Sequence, residues 1–223
     1  MKLADQILRD QMALDAALND AEIAEMLEAY QYDEARILEG KALLNTLVLL
    51  NDLQDKEYGE QFDATDILNG TRQRAHDLYM KHLTLGRIAF EGKRGTAKRL
   101  QLNGPRQRGL SGWLTQAEVF YANLDGLETA LAEYGVSSEE LTQARELVAS
   151  VGEALWKREQ EQKEARESTR QRDAARKELK RWMRHFRQVA RLALKDHAQK
   201  LESMGDGGEV IGGGGGDEPL GSA

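Results

Sequence analysis

The sequence predicts an all-α protein: an internally duplicated helical bundle, with two long helices arranged about a pseudo-twofold. Three observations carry this prediction. Ala, Leu, Glu, Lys, Arg and Gln dominate, while the two prolines, Pro105 and Pro219, stand outside every periodic segment; that is a helix-forming composition. Apolar residues recur at spacings of three and four over long stretches. Finally, a shift of 104 residues lays the chain on itself, so that Leu27 meets Leu131, Tyr30 meets Tyr134, Ile37 meets Leu141, Lys41 meets Arg145 and Leu47 meets Val151.

The repeat sets the expected organisation. Residues 1–91 form the first copy, 92–110 a Gly-containing basic linker, 111–205 the second copy and 206–223 a flexible acidic Gly-rich tail. Each copy opens with a helix over about 3–18 or 111–122, with Ser111 as the expected N-cap of the second. A short helix follows over about 20–30 or 125–134. Asp33 and Ser137 then stand at matching positions as N-caps; each side chain can accept from an orphan N–H of the first turn. Glu140, three residues after Ser137, completes a capping box.

The long region after these caps, about 34–91 or 138–203, has two readings. Gly59 and Asn69-Gly70 permit a hairpin in the first copy. The second copy has no such breaker, and two copies of one fold should share a structure. A continuous helix of about 100 Å, at 1.5 Å per residue, is therefore the favoured expectation.

Residues 157–178, KREQEQKEARESTRQRDAARKE, hold charged and amide side chains relieved only by Ala, Ser and Thr. The stripe that continues the apolar face passes through Arg158, Gln162, Thr169, Arg172 and Arg176 here, and through Gln54, Tyr58, Gln61, Thr65 and Arg72 in the first copy. Both stripes are apolar at the ends and polar in the middle. The middle is a solvated shaft, a polar seam fixing register by buried hydrogen bonds, or a ligand site. A ligand site at the pseudo-twofold would use Thr65, Arg72, Thr169 and Arg176, with Glu57 and Glu161, backed by Glu60 and Glu164.

Charge is unevenly spread within the net −7. Residues 1–62 carry five Lys/Arg against fourteen Asp/Glu, whereas 170–200 carry eleven Lys/Arg against Asp173, Glu178 and Asp196. Pairing between helices accounts for this split; so does an anionic partner for the basic part. A second cationic candidate is Lys93, Arg94, Lys98, Arg99, Arg106 and Arg108, a run with no carboxylate inside it. Such side chains could reach the phosphates of a nucleic acid.

Other chemistries lack their residues. There is no Cys, which excludes disulfides, thiolate zinc sites and Cys nucleophiles. The four histidines, His76, His82, His185 and His197, are preceded at i−3 by Gln73, Tyr79, Trp182 and Leu194, so the Glu-x-x-His pair of a di-iron bundle is missing. His82 and His185 lie near Met80 and Met183, but they do not match under the repeat. No metal site and no cofactor is expected. Trp113, Phe120 and Tyr121 read as core anchors. Asp5, Arg9, Asp10 and Asp15 interrupt the N-terminal segment, and no stretch reaches the roughly 18 apolar residues of a membrane span. A cytoplasmic protein with no membrane partner is the expectation.

The stretches EYGEQFDAT (57–65), YMKHLTLGRIAF (79–90) and SGWLTQAEVFYANL (111–124), within the 104-residue repeat, resemble an uncharacterised family of bacterial all-helical proteins. The resemblance covers most of residues 1–205. It implies a duplicated helical fold and carries no activity or catalytic residues with it. Taken together, the sequence favours a non-enzymatic structural or protein-interaction bundle, self-association included. The alternatives are binding of an anionic polymer through 93–108 and 170–200, or a small ligand in the central seam.

Overall fold

The computed structural model describes residues 2–205; the acidic Gly-rich tail lies outside them. Among the described residues there are eight helices and no strand: α1 (Leu3–Asn19), α2 (Ala21–Glu28), α3 (Glu34–Ala89), α4 (Arg94–Arg99), α5 (Leu110–Ala122), α6 (Glu128–Ala132), α7 (Ser138–Ala193) and α8 (Ala198–Ser203). The long helices are continuous, 56 residues each. Gly59 and Asn69-Gly70 sit inside α3 without breaking it, because an isolated Gly costs only about 1 kcal/mol in a helix whose flanks are packed.

The helix boundaries repeat at the spacing seen in the sequence. A shift of 104 carries both ends of α3 onto those of α7, and both ends of α4 onto those of α8. The matching caps form as expected: Asp33 Oδ1 accepts from Arg36 N at 2.9 Å, and Ser137 Oγ accepts from Glu140 N at 3.1 Å. Three local expectations are corrected. Ser111 lies inside α5, whose N-cap is Gly109. Glu140 turns its carboxylate to Lys81 and His82, so the capping box is only half made. The long helices stop at Ala89 and Ala193 instead of running on to 91 and 203. After each stop the chain turns into a short helix, α4 or α8, so the stretch read as a linker over 92–110 holds one short helix.

The chain forms two compact units, and they do not follow the sequence copies. Among the described residues the first comprises 2–54 and 168–205, the second 55–167. In the first unit, residues 34–54 of α3 run antiparallel to 168–193 of α7: Gly40 faces Trp182, and Gln54 bonds Thr169. Ala13, Leu14 and Ala17 of α1 and Ile23 and Leu27 of α2 cover Ile37, Leu44 and Leu47 on one side and Leu179, Met183 and Phe186 on the other. Burial of these apolar side chains, at about 25 cal/mol per Å², is what holds the unit together. In the second unit, residues 55–89 of α3 run antiparallel to 138–167 of α7. Trp113, Ala117, Phe120 and Tyr121 of α5 pack over Tyr79 and Leu83, and Leu131 packs in the same core. The three aromatics expected as core anchors are therefore buried.

The polar middle does bury a narrow line. In the first unit, Gln54 is 8% exposed, donates to Thr169 Oγ1 at 3.3 Å and accepts from Arg172. In the second, the buried positions are Ala64, Leu68, Thr71 and Ala165. Small residues let the two backbones approach where a large apolar side chain is missing. No helix among the described residues is long and apolar enough to cross a membrane.

Candidate functional site

Of the six residues expected at a central seam, four have separate surroundings and two meet. Thr65 Oγ1 bonds the carbonyl of Gln61 on its own helix at 2.9 Å. Arg72, in the second unit, donates to the Arg108 carbonyl at 3.1 Å and lies over the Trp113 ring. Thr169 and Arg176 belong to the first unit, where Thr169 meets Gln54 and Arg176 Nε donates to Gln6 Oε1 at 3.0 Å. Glu57 and Glu161 are brought together in the second unit, joined by Glu60: carboxylate oxygens of the three lie within 4.8 Å of one another. Oε2 of Glu57 and of Glu161 are buried atoms without a hydrogen-bond partner. These three oxygens could hold a hard cation, the chemistry carboxylates suit.

The linker cluster also divides. Arg106 turns inward and donates to the Tyr79 hydroxyl at 2.8 Å and to the carbonyls of Gln101 and Asn103 at 2.8 and 3.0 Å. It clamps the loop after α4, and its charge is spent on that loop. Lys93 sits over the Phe90 ring. Arg94, Lys98, Arg99 and Arg108 are exposed.

The densest arrangement of charge is in the first unit. A cavity of about 370 Å³ lies between α1 and α7, lined by Gln6, Arg9, Asp10, Arg176, Lys180, Met183, Arg184 and Arg187. Positions 176, 180 and 184 follow one another at i, i+4 and i+8, which sets them along one face of α7 with Cβ atoms about 6 Å apart. Arg187 is the next turn of the same face. Among the described residues, five cations therefore line a cleft that has one carboxylate.

That carboxylate is a built part of the floor. Asp10 is 2% exposed and Gln6 is 5% exposed. Arg187 Nη2 donates to Asp10 Oδ1 at 3.0 Å and to the Arg9 carbonyl at 3.2 Å. Gln6 Nε2 points at Asp10 Oδ2 at 3.5 Å while its oxygen holds Arg176. A buried carboxylate must be paired, and Arg187 pairs it. The outer cations differ. Among the described residues none of Arg9, Lys180 and Arg184 has a carboxylate within ion-pair distance, and all three are exposed.

Lys180, Arg184 and Arg187 belong to the basic stretch 170–200 expected to meet an anion, whereas Gln6, Arg9 and Asp10 were not expected at a site, although a signal was present. Under the repeat, Gln6, Asp10 and Arg187 fall on Leu110, Leu114 and Leu83. Polar residues on a face that is apolar in the other copy mark a place where packing is not the purpose.

The second unit buries a polar group of its own. His82 is fully buried; its Nδ1 lies 2.9 Å from the Tyr121 hydroxyl and its Nε2 2.7 Å from Glu140 Oε1. Burial holds the His82 pKa below the ordinary histidine value, against the opposite pull of Glu140. Burial also pushes the Tyr121 phenol upward. Hydrogen bonds from Lys81 and His82 hold the Glu140 carboxyl below its usual range.

Comparison with known protein families, with curated proteins and with solved structures gives no match for this chain. The site is therefore read from its own geometry.

Proposed function

We propose that the protein is a helical binding protein that takes an anionic group in the cleft between α1 and α7. The observation that carries this reading is the convergence of Arg9, Arg176, Lys180, Arg184 and Arg187 on one cavity whose only carboxylate among the described residues, Asp10, is engaged by Arg187. Arginine stays protonated at any physiological pH, so this lining binds charge and does not move protons. Binding, not catalysis, is the role that follows. The reading includes an internal duplication, supported by helix boundaries that repeat at 104 residues.

The test is thermal unfolding with citrate, sulfate or tripolyphosphate at matched ionic strength. A ligand that binds only the folded state raises Tm by mass action. At least one of these anions is expected to raise Tm over chloride in the wild type, and the rise is expected to vanish in a Lys180→Ala/Arg184→Ala variant. Equal shifts in both proteins would remove the reading, because they would report general anion exclusion alone.

A second reading, a protein-interaction surface, is favoured by one observation. Leu38, Leu49 and Leu53 share an outward face of α3 in the first unit, and Leu49 is 70% exposed. A contiguous apolar face rimmed by charge marks a contact site. Self-association through it predicts a sedimentation coefficient that rises with concentration in the wild type and not in Leu49→Glu. A monomer at every concentration would leave only a foreign partner for this surface.

A further inference from the structure

We infer that the ligand of this cleft is a small molecule carrying a diphosphate group, an inference that rests on the anion-binding reading above. Three properties of the cleft select this class.

The first is charge density. Arg176, Lys180 and Arg184 stand one helical turn apart, with Arg187 at the inner end and Arg9 across from them on α1. A single carboxylate or sulfate is short against the roughly 12 Å that these three helix positions span. Two linked phosphates offer oxygens to successive turns of the helix at once. The planar fork of Arg matches phosphate oxygens two at a time.

The second is preorganisation. Two of the five cations are held before any ligand arrives: Arg187 by Asp10 and the Arg9 carbonyl, Arg176 by Gln6. Fixed donors lose little entropy on binding, which favours a compact, highly charged ligand over a loosely held one. Arg9, Lys180 and Arg184 are exposed at the rim of the same cleft.

The third is that the positive field ends at α1 and α2, although α7 itself carries further exposed cations at Lys177 and Arg181. Beyond the cleft, α1 and α2 carry Asp5, Asp15, Asp20, Glu22, Glu25 and Glu28. A nucleic-acid strand leaving the cleft on that side would run along like charge, whereas phosphate-tracking proteins present a continuous basic stripe. A cavity of about 370 Å³ also suits a small ligand, the usual range beginning near 300 Å³.

The experiment is isothermal titration of the full chain with inorganic pyrophosphate, orthophosphate, ADP and a single-stranded oligonucleotide in buffer of physiological salt. Pyrophosphate is expected to bind one per chain, at least about tenfold more tightly than orthophosphate. Lys180→Ala and Arg184→Ala are each expected to weaken it about tenfold; both side chains are exposed, so the fold is retained. His76→Ala and Met80→Ala, the matching positions of the second unit, are expected to leave it unchanged. ADP binding as tightly as pyrophosphate or more so supports the inference and identifies a nucleoside diphosphate as the source of the group. An oligonucleotide that binds more tightly than pyrophosphate, and is lost in the same two variants, overturns the diphosphate assignment while leaving the anion-binding cleft standing. Citrate or sulfate raising Tm without any pyrophosphate binding has the same meaning. No anion of any kind binding overturns both.

Discussion

The two compact units are made of matching pieces, yet one encloses a cationic cleft where the other is solid. The difference comes down to a few positions. Arg9 of α1 corresponds to Trp113 of α5, Asp10 to Leu114, Arg187 to Leu83 and Met183 to Tyr79. In the second unit the Trp113 indole occupies the space: it meets Tyr79 edge-on, bonds His76 Nδ1 at 3.0 Å and carries Arg72 over its face. In the first unit an arginine stands at that position and a cavity remains. The lesson is that the scaffold does not need the cleft. A solid version of the same arrangement exists in the same chain, so the buried Asp10–Arg187 pair is retained at a cost that packing alone would not require.

Breaking that pair gives the largest expected effect. Arg187→Leu leaves Asp10 buried and uncompensated and is expected to cost about 3–5 kcal/mol, read by chemical denaturation. The double variant Asp10→Leu/Arg187→Leu copies the second unit and is expected to recover most of that loss, since a buried ion pair replaced by apolar groups of similar size is often neutral or better. A double variant as unstable as the single one would mean that the pair itself holds the first unit together.

Close packing of the two long helices offers the next test. A Cβ on Gly40 would come within 2.5 Å of the Trp182 ring, and that ring is fixed by stacking on Phe186 at 5.3 Å and by the edge of Tyr32. Gly40→Ala is expected to lower stability by about 1–2 kcal/mol despite the better helix propensity of Ala. The matching residue in the second unit is already Ala144, buried without strain. An unchanged or raised Tm would show that Trp182 is free to move.

The pH response separates the units further. His82 of the second unit corresponds to Phe186 of the first. Its folded pKa is lowered by burial, with Glu140 and Tyr121 facing the ring and Lys81 beside it. The neutral ring satisfies both partners by donating to Glu140 and accepting from Tyr121. The unfolded chain therefore takes up a proton first as the pH falls. Stability from this group is intact above about pH 6.5, the unfolded value, and is lost as the pH drops from there through the lower folded value. His82→Phe is expected to flatten the acid limb of a Tm-against-pH curve. The same limb in both proteins would assign the response to other groups.

The smallest expected effect lies at the carboxylate trio. Glu161→Gln removes one of three like charges within 4.8 Å and is expected to raise stability by a few tenths of a kcal/mol in metal-free buffer. A clear loss of stability, reversed by adding a divalent cation to the wild type only, would show that the trio holds an ion.

How much of this was legible beforehand follows from the kind of information each feature needs. Composition and the three-four periodicity determined the helical class, because backbone geometry fixes which positions share a face. Comparing the copies favoured continuous long helices, since 157–178 holds no breaker to match Gly59 and Asn69-Gly70, and the structure decided against the hairpin. The caps at Asp33 and Ser137 were readable because capping is local chemistry. Ser111 failed as a cap because the preceding turn let α5 begin one residue early, at Leu110. Of the seam residues, Glu57 and Glu161 do meet, because matching positions of two antiparallel helices come together near the middle of each.

Only the tertiary structure decided the rest. Thr65 and Arg72 lie on one stripe and Thr169 and Arg176 on its match in the other long helix, but a long helix drifts against a fixed pattern, and these side chains turn to partners such as Arg108, Gln6 and Gln54. Arg106 looked like a surface cation until its loop folded back on Tyr79. The cleft depends on α1 meeting α7 across about 170 residues of chain, as Gln6 meets Arg176. Local propensity determined what each segment became, whereas a site made by contacts so distant in sequence exists only once packing brings its walls together.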